Sequence, residues 1–133
     1  MKILVIDGQG GRMGQSIIEI LKARRVAAEI VALGTNSLAT GAMLRAKPDA
    51  AATGENAILV NCRDADYIIG PIGILVADAL HGEISPKIAV AVGSSAAKKI
   101  LFPITRCNTM ILGVPDYSLS RQLELLTEAL GLD

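Results

Sequence analysis

The sequence predicts an α/β domain in which a mostly parallel sheet lies between two helical layers. Three observations carry that expectation. Short aliphatic runs alternate with helical patterns from residue 2 onward, the alternation that builds a parallel sheet with helices on both faces. The apolar content is 51% of the chain and only 2% is aromatic, so Ile, Leu, Val and Ala supply it, as strands buried on both faces require. A glycine-rich segment, Gly8 to Gly14, stands between the first strand and the first helix.

Each element can be justified in turn. Ile3 to Ile6 form an aliphatic run that reads as a buried strand. Gln15 to Arg25 is helical, with Ile17, Ile18 and Leu21 on the apolar face and Glu19, Lys22 and Arg24 toward solvent. Ala28 to Leu33 is a second strand, ended by Gly34-Thr35-Asn36-Ser37. A helix from Ser37 or Leu38 to about Ala46 follows and closes at Lys47-Pro48. Residues 50–62 admit two readings, a short helix capped by Thr53 with Asn56 or a strand through Ala57-Ile58-Leu59-Val60. The helix is preferred, because a third strand must come next at Asp66 to Gly70.

Pro71 and Gly73 punctuate the exit of that strand, and Ile72 to Leu80 can continue as a helix. Ser85-Pro86 pairs an N-cap with a proline at the first helical position and opens a helix to about Val92. Lys99 to Pro103 and Thr109 to Val114 read as fourth and fifth strands, close enough to pair as an antiparallel hairpin at one edge. Ser118 or Ser120 caps a last helix carrying Leu123, Leu126 and Leu130, which stops at Gly131. The whole is one Rossmann-like three-layer domain over residues 1–133, with an antiparallel edge strand allowed.

Composition excludes several classes. The folded-surface scaling law has a chain of 133 residues bury about two-thirds of its surface, enough for a core without disulfides or metal. Thirteen basic and thirteen acidic side chains cancel, so nothing draws the chain generally to nucleic acid or an anionic membrane. Tyr67, Phe102 and Tyr117 are too few and scattered to stack bases. Cys62 and Cys107 form no CxxC pair, which argues against a disulfide scaffold or zinc site. The apolar run at residues 3–6 is too short for a signal-peptide core, and Tyr67 to Ala77 is too short to span a bilayer. The expectation is a cytoplasmic protein with no metal, of a size that leaves no room for a separate substrate domain.

The glycine segment has the spacing GxxGxxG through Gly8, Gly11 and Gly14, with Met13 where a strict GxGxxG would need glycine. Gly8 permits a tight turn, Gly10 and Gly11 let the backbone approach a phosphate at the helix N-terminus, and Gly14 lets the helix pack close to the strand. A packing turn that binds nothing is the alternative. Ligands of such sheets sit at the carboxyl ends of the strands, here the loops Asp7–Gly14, Gly34–Ser37, Gly70–Gly73 and Pro103–Asn108.

Gly8-Gln9-Gly10-Gly11-Arg12-Met13-Gly14-Gln15 resembles the nucleotide loop of dihydrodipicolinate reductase. The resemblance covers about the first 35 residues and implies a backbone cradle at Gly8, Gly11 and Gly14 with Arg12 as anion partner. That family's substrate domain has no counterpart here, so its reaction does not carry over. Over nearly the whole chain, segments such as Ile6-Asp7-Gly8-Gln9-Gly10-Gly11, Thr53-Gly54-Glu55-Asn56-Ala57 and Arg106-Cys107-Asn108 are similar to a family of short bacterial proteins of unknown function.

At the end of the second strand Thr35, Asn36 and Ser37 stand where NAD-binding domains carry an acid, which mildly favours NADP among the NAD(P) cofactors. Capping by Ser37 and a turn at Asn36 are the plainer alternative. The candidate binding set is therefore Gly8, Gln9, Gly10, Gly11, Arg12, Met13, Gly14, Thr35, Asn36, Ser37, Gly70 and Pro71. His81 is the single histidine, near a predicted helix end, and Cys107 lies between Arg106 and Asn108, where an arginine lowers a thiol pKa. Cys62 reads as core, Asp64 and Asp66 as solvated, and Glu55-Asn56 as either a cap or a pocket pair.

Three functions compete: a small nucleotide-binding module taking NAD(P) or another phosphate-containing molecule, an enzyme completed across a homodimer by Arg106, Cys107 or His81, and a structural or regulatory protein without a ligand. Homodimerisation fits all three, since such a unit leaves edge strands to cover.

Overall fold

The computed structural model describes residues 1–103 and 109–132. Five strands, β1 (Lys2–Asp7), β2 (Glu29–Gly34), β3 (Ala50–Thr53), β4 (Tyr67–Pro71) and β5 (Lys98–Phe102), form one sheet in the order β3-β2-β1-β4-β5. Every pairing is parallel, with Ile3 opposite Ile30 on one side and Tyr67 on the other. Ile3 to Ile6 are completely buried in the centre of this sheet, and each such side chain contributes about 1.5–3 kcal/mol relative to exposure.

Helices α1 (Arg12–Ala23), α2 (Ser37–Leu44) and α5 (Leu119–Ala129) cover one face. Helices α3 (Glu55–Asn61) and α4 (Pro86–Ser94) cover the other. Alternate residues of β1 feed the two cores: Ile3 and Val5 meet Ile17, Leu21 and Met43, while Leu4 and Ile6 meet Ile58, Ile88 and Val92. The chain winds outward from β1 through β2 to β3, then crosses back to β4, so the loops after β1 and β4 part at a switch point.

Four predicted strands correspond to β1, β2, β4 and β5. The reading of residues 50–62 is corrected in part: the preferred short helix is there as Glu55–Asn61, but Ala50–Thr53 before it is a strand that pairs with β2. Alanine has little intrinsic strand preference, and the open edge of β2 imposes the conformation. The antiparallel hairpin is also corrected, because Thr109 to Val114 form no strand. The residues proposed to turn it, 104–108, lie outside the described residues.

Helix caps follow side-chain chemistry. Ser85 Oγ accepts the Ile88 N–H at 3.3 Å and Ser118 Oγ accepts the Arg121 N–H at 3.2 Å. At α2 the cap is Asn36 rather than Ser37, its Oδ1 accepting the Ala39 N–H at 2.8 Å. Past β4 the helical pattern lasts only for a 3-10 turn, Ile72–Leu75. The chain then runs through Asp78, Leu80, His81 and Gly82, all with positive φ, to Glu83. Residues 76–83 thus form a strap along the carboxyl ends of the strands.

Candidate functional site

The site begins where β1 ends. The Gly11 N–H donates to the Gly8 carbonyl at 3.0 Å and closes a turn that places Gln9 at φ 49 and Gly11 at φ 71. Glycine suits position 11 twice over, since a Cβ there would also lie 2.5 Å from the Ala39 carbonyl oxygen. Gly11 is the N-cap of α1 and has no side chain to cap with. Asp7 does that work from the strand: its Oδ1 accepts the Gly8 N–H at 2.8 Å and its Oδ2 the Gly14 N–H at 2.7 Å. Burial pushes the Asp7 carboxyl above its ordinary range, the two N–H groups pull it down, and the charge of Glu83 adds to the rise.

Glu83 is the residue that sequence reasoning missed. Its Oε1 accepts the Thr35 hydroxyl at 2.6 Å, an Asn36 Nδ2–H at 2.7 Å and the Gln9 N–H at 2.9 Å. Partial burial raises its pKa, but these three donors together, with the nearby His81 ring, bring it below the usual carboxylate range. Asn36 also donates to the Gln9 carbonyl at 3.1 Å. One carboxylate therefore joins the strap, the glycine loop and the end of β2. The bare backbone of Gly8 permits this, since a Cβ there would lie 2.7 Å from Thr35 Oγ1, 2.9 Å from Leu80 Cδ1 and 3.0 Å from Glu83 Oε1.

Between the loop and the strap opens a cleft of about 700 Å³, within the size range of small-molecule sites. Asp7 through Met13 form one wall, Pro71 to Gly73 the floor, and Val76 with Asp78 to His81 the other wall, with Thr109 and Leu119 at the margin. Arg12 is exposed at the cleft and forms no ion pair among the described residues. The amides of Gly10, Arg12 and Met13 have no acceptor among the described residues.

The predicted residues thus separate into groups. Gly8, Gln9, Gly10, Gly11, Arg12 and Met13 line the cleft together with Pro71. Gly14 is buried behind it, where a Cβ would sit 2.5 Å from Met43 Sδ, so its role is the close seating of α1. Thr35 and Asn36 face Glu83, Ser37 is exposed as the first residue of α2, and Gly70 is buried in β4 beneath the Ile6 carbonyl. His81 lies on the strap wall of the cleft. Arg106, Cys107 and Asn108 lie outside the described residues.

The remaining candidates serve the scaffold. Cys62 is buried, and burial pushes its thiol pKa up against the opposing charges of Lys99 and Lys2. Asp64 pairs with Lys2 Nζ at 2.7 Å and Asp66 accepts the Lys2 N–H at 2.7 Å, both at the amino end of the sheet. Glu55 accepts the Ser85 hydroxyl at 2.5 Å and so ties the starts of α3 and α4. Among the described residues no group of three His, Cys, Asp or Glu could hold a metal ion, and no helix is long and apolar enough to cross a membrane.

Fold and site together define a doubly wound, all-parallel α/β domain with an open cleft at its switch point. The chain belongs to the family described as a domain of unknown function, DUF3842, whose sequence profile matches residues 2–131. None of the curated proteins compared with the chain matches it. Among solved structures it is similar to a dodecameric FMN-dependent Ubix-like decarboxylase from Escherichia coli O157:H7, at a TM-score of 0.48 and 18% identity, over 99% of this chain and 77% of that one.

The expectation of NAD(P), with NADP mildly favoured, is corrected. The matched structure is named for FMN rather than a nicotinamide cofactor. The premise for NADP fails as well. The end of β2 holds a carboxylate after all, supplied by Glu83, which accepts from both Thr35 and Asn36.

Proposed function

We propose that the chain is a small-molecule-binding module whose cleft takes a phosphate-bearing, nucleotide-like ligand through the glycine loop. The observation that carries this reading is the set of three uncommitted amides, Gly10, Arg12 and Met13, opening with the Arg12 side chain onto the cleft. Met13, Ile72, Val76, Leu80 and Leu119 offer apolar surface for the body of the ligand. Thermal melts with FMN, AMP and inorganic phosphate test it. A ligand at 100 times its Kd stabilises a folded protein by about 2.7 kcal/mol, so a real ligand moves the melting temperature by several degrees. No shift with any of the three rejects the reading.

A second reading, a structural or regulatory protein without a ligand, is favoured by Asp7. Its carboxylate already serves as the anion at the start of α1, satisfying two amides from within the chain. Under that reading the same melts stay flat. A second copy is the partner proposed under both, because β3 and β5 leave open sheet edges and Met110 and Leu112 are 80% and 86% exposed. Light scattering across concentrations tests that pairing.

A further inference from the structure

The exposed apolar surface of the chain is gathered in one segment. Among the described residues, five of the eleven large exposed apolar side chains fall between β5 and the first residue of α5: Met110, Leu112, Val114, Tyr117 and Leu119. The Val114 N–H donates to the Ile111 carbonyl at 3.4 Å and Gly113 takes φ 79, so the chain turns there and holds Leu112 at the tip. Apolar side chains concentrated in this way mark an interaction surface.

Beside the turn lies a groove of about 240 Å³, walled by Ile100, Phe102, Val114, Tyr117, Leu125 and Ala129. That is below the roughly 300–1,000 Å³ of small-molecule sites and suits an inserted side chain. Gln122, the amide side chain in the groove, already donates to the Pro103 and Tyr117 carbonyls, each at 3.4 Å. β5 is the last strand of the sheet, so its outer edge leaves backbone groups unpaired beside the groove.

Resting on the pairing of two copies proposed above, we infer that the copies meet at β5, each seating Leu112 and Met110 in the groove of the other. Turn and groove adjoin at Val114, so one surface carries both halves of the contact, as a two-fold interface requires. Charge points to the same occupant. A two-fold axis beside β5 sets the two strands antiparallel, which brings Lys98 at the amino end of one to the carboxyl-end loop of the other. That loop carries Asp116, the one charge in Thr109–Leu119, and the Gln122 bonds to Pro103 and Tyr117 hold it at the end of β5. Lys98 and Asp116 are both exposed, and neither forms an ion pair among the described residues.

The experiment is sedimentation velocity over a range of concentrations on wild type, Leu112→Asp, Leu38→Asp, Lys98→Glu, Asp116→Lys and the double charge reversal. Leu112 and Leu38 are both exposed, so either substitution leaves the core intact, and circular dichroism checks it. Wild type should dimerise, and L112D should weaken the dimer by about a hundredfold or more, because symmetry counts the lost burial twice. L38D, on α2 toward the opposite edge of the sheet, should leave the dimer within about threefold. K98E and D116K should each weaken it by about tenfold, and the double reversal should bring it back to within about threefold of wild type. A dimer that survives L112D, or that L38D dissociates instead, overturns the β5 interface and leaves the pairing of copies standing. A double reversal no tighter than its single members overturns the antiparallel arrangement. A wild-type chain that stays monomeric at every concentration overturns the pairing itself.

Discussion

The carboxylate of Glu83 accepts the hydroxyl of Thr35 at 2.6 Å across 48 positions of chain. It places an acid at the end of β2, where the local sequence Gly34-Thr35-Asn36-Ser37 has none. The same oxygen holds Asn36 and the Gln9 amide, so the strap, the loop and the second strand share one anchor.

Removing that anchor should loosen all three. Glu83→Ala is expected to lower unfolding free energy by about 1–3 kcal/mol, the range for hydrogen bonds to a charged group. Hydrogen exchange should quicken at the Gln9 amide more than in the strands. Equal exchange at Gln9 in both proteins would show that the loop holds its shape unaided.

Acid should act on Glu83 and Asp7 with opposite sign. The folded pKa of Glu83 lies below its ordinary 4.5, so its stabilisation is complete above that value and is lost as pH falls through the folded value. The folded pKa of Asp7 lies above its ordinary 3.8, so ionised Asp7 weighs against the fold and acidification through the folded value relieves it. Urea titrations between pH 3 and 7 should therefore show a shallower acid loss in Glu83→Gln than in wild type. A profile unchanged by E83Q removes Glu83 from the acid response.

Asp7→Asn should destabilise by about 1–3 kcal/mol at pH 7, even though it deletes a buried charge. Asn offers one acceptor oxygen, whereas the amides of Gly8 and Gly14 meet two. A more stable D7N would mean that desolvation of the carboxylate outweighs both hydrogen bonds.

Gly14 and Gly10 should part company. A Cβ at Gly14 meets Met43 Sδ at 2.5 Å and Asp7 Cβ at 2.9 Å, whereas one at Gly10 meets nothing within 4 Å. Gly14→Ala is expected to cost about 1–3 kcal/mol by overpacking, and Gly10→Ala about 0.5 kcal/mol or less. In the double mutant with Met43→Ala, the Gly14 change should cost less than it does alone, because the nearer of its two clash partners is gone and only Asp7 Cβ remains. Additive costs would place the strain elsewhere.

Arg12→Ala should leave stability within about 0.5 kcal/mol, since Arg12 is exposed and makes no ion pair among the described residues. It should weaken AMP by about tenfold if its charge faces the phosphate. Undiminished affinity would leave the amides as the whole cradle.

Local signals made most of the fold legible. The aliphatic run Ile3–Ile6, the Ser85-Pro86 pair and Ser118 each act through neighbours in sequence, and each stands where those neighbours require. What the sequence concealed was long-range. Ala50–Thr53 is a strand because β2 offers it an edge, and nothing in three alanines and a threonine says so. Glu83 looks like a loop residue beside His81 and Gly82 until the strap brings it to Thr35. The glycine loop was legible in position, but the two acids that occupy its amides belong to contacts that spacing alone does not encode.

The strand order also has a consequence for biosynthesis. β1 occupies the middle of the sheet, yet β4, its neighbour on one side, is translated only after β2, α2, β3 and α3. A nascent chain that has folded its first three strands exposes one flank of β1, a fully aliphatic edge with unpaired amides and carbonyls. Until Tyr67–Pro71 leaves the ribosome and seals that flank, the part of the molecule that later becomes its best-buried centre is the part most in need of a chaperone.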